Sequence, residues 1–528
     1  MDLLAILERI GRIAGRRVQR LGLSATIGNP ESLLDWLACG EEGDIIGQAA
    51  AAAGGEVTID HVGSLENAAV VLSRLYRGEK RLVFCDSRAR VETLAAQLHE
   101  RGVETFVSHS SLAAAKRRRA EEAFANVADC VIVATSTLEL GIDVGDLDRV
   151  VQIDAPRTVS AFLQRMGRTG RRLRTTRNCL FLATSDEAFL ETIGIARLWD
   201  EGFVEPITPP PLPLHLLAQQ VMALILQQGG LGRREWRDWI GRAFREIPEE
   251  EAAETIGYML ASGILSIDNG ILGMGRRGEA VFGGRNFLEL VSAFTTPLLL
   301  TVRHGATELG QIDPTIFRET DNASPNLLLA GRSWKVTSVD WRRRTAYVEP
   351  ALEMGRSRWL GSVRGLHFDL AQGIERAIAA RAVPARLSRR ASQRFAEVAE
   401  QFPYCDGQSI PVVRDRTGRL RWWTFAGTAT NQMLASALQS QGAATFISDD
   451  LGITTAHMSQ HDAVARLERI TPANICVQLP TRAVRELKFI ECLQERTAER
   501  VLNGRLFPTG PFAQLTSKRL RFILSSEA

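Results

Sequence analysis

The chain has 528 residues, of which 45% are hydrophobic and 24% are charged, and its formal net charge is only +3. This length favours about three to four domains, and the ordinary hydrophobic fraction excludes a disordered chain because cores can form throughout. No apolar run reaches the roughly 18 residues that a membrane helix needs. The near-neutral charge does not by itself indicate a nucleic-acid-binding protein.

Arginine and cysteine usage narrow the class further. Only five of the 64 basic residues are lysine, and arginine suits phosphate because its guanidinium is planar and permanently charged. A GC-rich genome is the alternative explanation of this bias. The seven cysteines are odd in number and never spaced as C-x-x-C, which argues against a disulfide framework or a zinc site. Met1–Gly15 does not resemble a secretory signal, so we expect a cytoplasmic protein without a membrane partner.

The first half of the chain predicts a short helical segment followed by a parallel sheet. Residues 1–20 predict a helix and Arg20–Thr26 a short strand. The helix has four apolar side chains on one face: Leu3, Leu4, Leu7 and Ile10. Apolar strands then alternate with amphipathic helices over 68–185, which predicts a parallel sheet covered on both faces. The strands are expected at 81–85, 104–107, 130–134, 150–153 and 179–183.

The proline-rich run Pro206–Pro213 predicts a stiff linker. Two short apolar runs around Asp268 and Asn269 predict a hairpin beyond it. Helices are expected before that hairpin, near 214–228, 233–246 and 250–263. Three helices and a small hairpin are typical of a winged helix.

The remainder of the chain gives mixed signals. Short strands dominate 286–370, and an arginine-rich helical stretch follows near 371–401. Trp422 and Trp423 are adjacent, so in a strand they face opposite sides. One of them could stack on a base; the alternative is that one packs in a core and the other against a neighbouring domain.

Four segments carry the candidate chemistry, and they are best interpreted together. Three follow predicted strands, where binding residues accumulate in open parallel sheets, and the fourth closes a helix. Their order and spacing resemble motifs III, IV, V and VI of superfamily 2 helicases. The segments are Ser24–Thr26, Val83–Arg88, Ala134–Asp143 and Gln164–Arg171.

The resemblance assigns ATP chemistry to the last of these segments. Arg168 and Arg171 are expected to be arginine fingers, because phosphoryl transfer needs charge stabilisation that a neighbouring lobe can supply. Gly167 and Gly170 have no side chains, so they leave space around these two arginines. Gln164, one helical turn before Arg168, is expected to face the same cleft between two lobes.

The remaining nucleotide contacts are assigned to the motif V segment. Asp143 suits a ribose hydroxyl and, with Gly141, is expected to bind the nucleotide. Ser24 and Thr26, in motif III, are expected to couple ATP hydrolysis to strand movement.

Three further residues are expected to touch a nucleic-acid backbone. Thr135 offers a hydroxyl and an amide to phosphate, and Arg88 and Ser110 lie on the same expected track. Such groups contact phosphate without reading bases. For Ser110 the alternative, which does not exclude the first, is a helix N-cap.

Two motifs required for an ATPase are not found. A P-loop needs Gly-Lys, and the chain contains no such dipeptide; only 23 residues precede Ser24, too few for the acidic box that should hold Mg²⁺. Asp186–Phe189 imitates that box but is better interpreted as a helix start. Gly273–Gly278 imitates a dinucleotide fingerprint but lies beyond the hairpin. The site for ATP and Mg²⁺ is therefore expected to be incomplete, and no metal ligand is assigned to this chain.

Segments outside the motor motifs narrow the resemblance to Lhr-type helicases. These are Leu198–Pro206, Leu217–Gln220, Gly331–Asp340, Tyr347–Pro350, Gly418–Gly427 and Leu487–Phe489. The resemblance covers nearly the whole chain. It implies an ATP-dependent DNA helicase that moves 3′→5′ on single-stranded DNA, unwinds DNA or RNA:DNA hybrids, and acts in DNA repair.

The expected architecture is α/β and multi-domain. It comprises a remnant of the first RecA-like lobe (1–50), a second RecA-like lobe with a parallel sheet (51–205), a winged helix (206–285) and an accessory region with a β-barrel (286–528). We expect the chain alone to lack ATPase activity, and to be either a fragment or paired with a separately encoded first lobe. The alternatives are an ATP-independent nucleic-acid-binding or annealing module and a decayed gene product.

Overall fold

The computed structural model describes the chain through residue 523 except for a set of short segments. These are residues 25, 48–53, 140–146, 171–174, 285, 293–298, 313–325, 330–331, 352–364, 416, 443, 457, 471–474, 476, 478, 480–483 and 485–486. No helix in the described part is long and apolar enough to cross a membrane.

The N-terminal segment contains two helices, α1 (Asp2–Ile13) and α2 (Pro30–Ala38). The helix predicted over 1–20 ends early because Gly15 adopts a φ of +62°, which is typical of a helix stop. The strand predicted over Arg20–Thr26 is wrong: its described residues form no strand, and Leu23 is 97% exposed. A strand needs a neighbour to satisfy its backbone, and within the described ranges none pairs with this segment.

The second unit is a six-stranded, fully parallel sheet in the order β1-β6-β5-β2-β4-β3. Its strands are β1 (Glu56–His61), β2 (Lys80–Phe84), β3 (Thr105–Ser108), β4 (Cys130–Ala134), β5 (Arg149–Ile153) and β6 (Asn178–Ala183). The helices between them are α3 (Leu65–Arg74), α4 (Arg88–Glu100), α5 (Ala114–Asn126), α6 (Val159–Met166) and α7 (Asp186–Asp200). The predicted parallel sheet is confirmed, and β1 is an additional strand that the prediction missed.

Both faces of this sheet are buried, as predicted. Val83, Val131 and Val151 lie in one apolar cluster with α3 and α4, while Phe84 and Ile132 lie in the cluster on the opposite face with α6 and α7. The alternation of side chains along each strand sends successive residues to opposite faces. The sheet edge at the carboxyl ends of the strands is therefore held rigidly from two sides.

The Asp186–Phe189 segment is a helix start, as predicted. The Ser185 hydroxyl accepts a hydrogen bond from the Ala188 amide at 3.2 Å and caps α7. The Asp186 carboxylate pairs with Arg394 and His61, and the Arg394 hydrogen bond holds its pKa below the usual range.

The described part of the predicted winged-helix region holds four helices, one more than predicted, and a three-stranded antiparallel sheet in the order β7-β9-β8. The elements are α8 (Leu214–Gln228), β7 (Leu231–Gly232), α9 (Trp236–Ile240), α10 (Glu249–Ala261), β8 (Leu265–Asp268), β9 (Ile271–Met274) and α11 (Arg276–Phe282). The middle helix is shorter than predicted and stops before Gly241, since glycine weakens a helix interior. The Gly273–Gly278 segment belongs to the end of β9 and the start of α11.

The accessory region begins with a five-stranded sheet in the order β11-β10-β14-β13-β12. Its strands are β10 (Leu300–His304), β11 (Thr307–Ile312), β12 (Asn326–Leu329), β13 (Arg332–Asp340) and β14 (Thr345–Pro350). Two helices follow, α12 (Phe368–Ala379) and α13 (Arg389–Ala399). The single helical stretch predicted near 371–401 is divided because Arg381 has a φ of +53° and Pro384 lacks an amide hydrogen.

The last unit is a second five-stranded sheet in the order β17-β18-β16-β15-β19. Its elements are β15 (Ile410–Arg414), β16 (Leu420–Trp423), α14 (Gly427–Gln439), β17 (Phe446–Ser448), β18 (Gly452–Thr455), α15 (Gln460–Glu468), α16 (Glu495–Leu506), α17 (Thr509–Thr516) and β19 (Leu520–Ile523). Trp422 is buried in the core of this sheet, and Trp423 packs against Phe402 with ring centroids 5.1 Å apart. Trp422 is fully buried and Trp423 is half-buried with an aromatic neighbour, which favours the packing alternative.

Packing between units fixes the position of the N-terminal segment. Leu4 of α1 is buried in one core with α8, and the Arg9 side chain donates to Gln227 at 2.8 Å. By contrast, Leu3 and Ile10 are 66% and 46% exposed. The four-residue apolar face predicted for this helix is thus only partly covered.

Candidate functional site

Three predicted nucleic-acid contacts lie in a row at the carboxyl edge of the parallel sheet. Strands β2, β4 and β3 are neighbours in the sheet, and Arg88, Thr135 and Ser110 follow these strands in turn. Parallel strands end at the same edge, which is where ligands bind in open sheets of this kind. The structure therefore brings together three residues that are far apart in sequence.

Local contacts decide what each of these residues can offer. Ser87 caps α4 by accepting from the Arg90 amide at 3.2 Å, so the helix begins at Arg88. Burial lowers the pKa of Arg88 from its usual value, but an arginine stays charged at neutral pH. The Thr135 amide already donates to the Ser108 carbonyl at 3.2 Å. The expected amide contact is therefore wrong, and the Thr135 hydroxyl remains as the candidate phosphate contact.

Ser110 lies in an exposed position on the loop between β3 and α5. The N-cap position of α5 is held by Ala113, without a side-chain hydrogen bond. The alternative that Ser110 or Ser111 caps this helix is therefore wrong. Ser110 is therefore exposed at the edge of the sheet, in the same row as Thr135.

A buried contact between a histidine and a glutamate, which the sequence did not indicate, supports that loop. His109 Nε2 lies 2.8 Å from Glu92 Oε1, and both side chains are fully buried. A buried carboxylate is costly unless it is hydrogen-bonded, so this contact holds the loop in one position against α4.

The last candidate segment is built on helix α6. The Thr158 hydroxyl caps the helix by accepting from the Ala161 amide at 3.0 Å. The Glu205 carboxylate also accepts from the amides of Val159 and Ser160 at 2.7 and 3.0 Å. An anion at a helix N-terminus is stabilised by the helix dipole. These caps fix the direction in which α6 presents its side chains.

Two predicted site residues from distant segments meet on α6. Gln164 Nε2 donates to Thr26 Oγ1 at 3.3 Å, and the hydroxyls of Thr26 and Ser160 lie 2.8 Å apart. Ser24 stays within its own turn, where its hydroxyl accepts from the Thr26 amide at 3.3 Å. The segments that resemble motifs III and VI are therefore joined through Thr26.

Arg168 follows the end of α6 and is half-buried. Its Nε donates to the Gln164 carbonyl at 3.4 Å. Gly170 adopts a φ of +70°, and a Cβ atom there would lie 2.6 Å from the Arg177 amide nitrogen, so this turn requires glycine. Arg171, Asp143 and Gly141 lie outside the described residues.

Arg165 is a buried residue of this region whose contacts the sequence analysis did not predict. Its guanidinium is buried and contacts Glu139 at 2.5 Å, Asp86 at 3.2 Å and Gln152 at 2.5 Å. It also lies over the Phe84 ring at 5.0 Å. Arg165 thus connects α6 to the segments that resemble motifs IV and V. In the sequence, only its position between two candidate-site residues of the same motif could have indicated these contacts.

Comparison with known proteins agrees with this geometry. Residues 65–172 match the helicase conserved C-terminal domain. The Lhr helicase/uracil glycosylase of Escherichia coli is 26% identical over 357 residues, which cover 58% of this chain and 23% of that protein. The ATP-dependent helicase Lhr-Core of Methanothermobacter thermautotrophicus is 24% identical over 56% of this chain and 36% of its own length.

One solved structure has the same fold along nearly the whole chain. It is the helicase Lhr of Mycobacterium smegmatis bound to ssDNA and AMP-PNP, with a TM-score of 0.67 and 17% sequence identity. The alignment covers 99% of this chain and 76% of that one. The first curated relatives are matched over about a fifth of their own length, namely 23%, 18% and 20%.

The part of the chain that carries the row of motif residues on a parallel sheet is thus similar to the C-terminal domain of helicases. Beyond that domain, the chain is similar in sequence to Lhr helicases and shares its fold with a solved Lhr structure.

Proposed function

We propose that this chain supplies the second motor lobe and the DNA-handling units of an ATP-dependent translocase. The motor would move 3′→5′ along single-stranded DNA and unwind DNA or RNA:DNA duplexes in the cytoplasm. The observation that carries the proposal is the contact of Thr26 with Gln164 and Ser160. It joins the segment that would follow the first lobe to α6, the helix that precedes Arg168.

The chemical part of the proposal concerns charge at the transferred phosphoryl group. Arg168 and Arg171 would stabilise that charge, as arginine fingers do in related phosphoryl-transfer enzymes. Asp143 and Gly141 would bind the nucleoside. A first RecA-like lobe would hold the phosphates and Mg²⁺, because this chain has no Gly-Lys dipeptide from which to build a P-loop.

The N-terminal segment supports a partner lobe at this position. Leu3, Ile10, Ile13 and Leu23 are all large apolar side chains that are between 46% and 97% exposed. Exposed apolar surface of this kind marks an interaction site. This apolar surface lies on the same segment as Thr26, which contacts α6. A lobe that covered the surface would therefore face α6.

ATPase assays on a fused protein test the proposal. Fusing the first lobe of a close Lhr relative to Met1 raises its effective concentration and should produce DNA-stimulated ATP hydrolysis. Arg168→Ala or Arg171→Ala in the fusion should then reduce the rate on the order of 10³-fold. Arg496→Ala, an exposed arginine on α16, is the matched control and should leave the rate unchanged.

A fusion that folds and binds DNA without hydrolysing ATP would refute the motor assignment. It would favour the alternative, an ATP-independent nucleic-acid-binding or annealing module. The unfused chain serves as the baseline, and we expect it to show no DNA-stimulated turnover.

Binding of single-stranded DNA by the unfused chain tests the other half of the proposal. The affinity should fall steeply with added salt, because each neutralised phosphate releases a counterion. The triple variant Arg88→Ala/Ser110→Ala/Thr135→Ala should bind more weakly at every salt concentration. Equal affinity of the variant and the unchanged chain would remove the proposed track from the sheet edge.

A further inference from the structure

The chain that leaves the parallel-sheet lobe contacts the start of helix α6. Residues 203–207, which follow α7, are called the exit segment here. Within it, Glu205 Oε1 accepts from the Val159 amide at 2.7 Å, and Glu205 Oε2 accepts from the Ser160 amide at 3.0 Å. The first amides of a helix have no partner inside the helix, so one carboxylate satisfies two of them. Its charge also lies at the positive end of the helix dipole.

A second set of contacts binds the exit segment to the N-terminal segment. Asn29 Nδ2 donates to the Ile207 carbonyl at 3.0 Å, and Asn29 Oδ1 accepts from the Ile207 amide at 2.7 Å. Asn29 is the N-cap residue of α2 but makes no side-chain cap there, although asparagine is among the preferred N-cap residues. Its side chain is engaged by the exit segment instead.

Gly28 allows the two segments to touch. A Cβ atom at Gly28 would overlap the Val204 carbonyl oxygen and would lie 2.9 Å from the Glu205 carbonyl oxygen. A residue without a side chain is therefore required for this close approach. The exit segment thus packs directly against the backbone two residues after Thr26.

Ser160 connects these contacts to the candidate site. Its amide donates to Glu205 at 3.0 Å, and its hydroxyl lies 2.8 Å from that of Thr26. Gln164, one turn further along α6, donates to the same Thr26 hydroxyl at 3.3 Å. The start of α6 is therefore held by the exit segment and the N-terminal segment together.

We propose that Glu205 is a positioning residue of the motor, which fixes the start of α6 and thereby the direction in which Gln164 and Arg168 face the cleft. Asn29 holds the exit segment where it presents Glu205. Phosphoryl transfer depends on accurately placed charge, so a reoriented α6 would lower the rate although both of its side chains are still present. This inference rests on the proposed function and deepens it.

Hydrogen exchange of the unfused chain tests whether Glu205 holds α6. Glu205→Ala should speed exchange at the start of α6 by about tenfold, because two amides lose their acceptor. Glu205→Gln keeps one acceptor oxygen and should give an intermediate rate. Asn29→Ala should speed exchange of the same amides by about threefold, because it loosens the exit segment. The matched control is Glu187→Ala, which removes an exposed acid from the first turn of α7 and should change none of these rates.

Steady-state kinetics of the fused motor test the positioning role. Glu205→Ala should lower kcat on the order of tenfold, while the KM for ATP and the affinity for DNA stay the same, because the residue touches neither ligand. Glu205→Gln should recover part of kcat, and it replaces the alanine variant if that variant does not fold. Glu187→Ala should leave kcat unchanged.

The two measurements separate the possible failures. Unchanged exchange of α6 in Glu205→Ala would overturn the inference whatever the kinetics show. Faster exchange with an unchanged kcat would make Glu205 a structural cap only and would also overturn it. If the unchanged fusion folds and binds DNA but hydrolyses no ATP, the proposed motor function fails, and the positioning role fails with it.

Discussion

Gln164 and Thr26 are 138 residues apart in sequence, yet Gln164 Nε2 donates to Thr26 Oγ1 at 3.3 Å. Thr26 is also 2.8 Å from the Ser160 hydroxyl one turn earlier on the same helix. The N-terminal segment itself is anchored elsewhere, because Leu4 is buried against α8. Thr26 therefore connects the N-terminal segment to α6, the helix that precedes Arg168.

Thr26→Val in the fused motor should uncouple unwinding from ATP hydrolysis. The change removes hydrogen bonds worth about 0.5–1.5 kcal/mol each, so we expect up to about a tenfold loss of strand separation per ATP consumed, with little change in ATPase rate. Thr26→Ser keeps the hydroxyl and should restore coupling. Parallel losses of both activities would instead place Thr26 in the chemical step.

Arg165→Leu should destabilise the parallel-sheet lobe. The variant leaves Glu139 and Asp86 without their buried partner, and breaking a buried ion pair costs about 3–5 kcal/mol. Urea unfolding measures the loss. Arg197→Ala removes an exposed pair with Glu201 and should cost no more than about 1 kcal/mol. Similar losses in the two variants would contradict the assigned importance of Arg165.

Gly194→Leu should loosen the crossing of α7 and α12. A Cβ at Gly194 would lie 2.8 Å from both Ile374 Cγ1 and Leu370 Cδ1, and overpacking of this kind costs about 1–3 kcal/mol. Thermal denaturation should show a lowered midpoint. Gly257→Ala in α10 meets no atom within 4 Å and should be neutral or stabilising by up to about 1 kcal/mol. A midpoint unchanged by Gly194→Leu would show that the helices can separate freely.

The stability of α8 should decrease in acid because of His215. Burial lowers the pKa of this histidine to about 4, whereas in an unfolded chain it is about 6.5. The folded state therefore binds fewer protons, and its stability is complete above pH ~6.5 and is lost as the pH falls towards ~4, by about 3 kcal/mol in all.

Hydrogen exchange of α8 peptides, corrected for intrinsic rates, measures this loss between neutral and acidic pH. His215→Gln cannot charge and should flatten the dependence, even if it lowers stability at every pH. The same acid-dependent loss of protection in the variant would assign the effect to other groups.

Much of the fold could be predicted because its signals are local. Apolar runs that alternate with amphipathic helices predicted five strands of the parallel sheet, and their parallel order puts Arg88 and Thr135 at one edge. Ser185 was correctly predicted as the start of α7 from the acidic residues behind it. The strand predicted over Arg20–Thr26 failed because pairing with a neighbour, which local sequence does not encode, decides whether a strand exists.

The sequence by itself determined which residue types stand at each motif position, and therefore the class of chemistry that Arg168 and Gln164 can serve. Only the tertiary structure decided their partners. It engaged the Thr135 amide with the Ser108 carbonyl and surrounded Arg165 with Glu139 and Asp86. Hydrogen bonds and ion pairs act over a few ångströms between residues far apart in the chain, so they are settled only when the sheets and helices have packed.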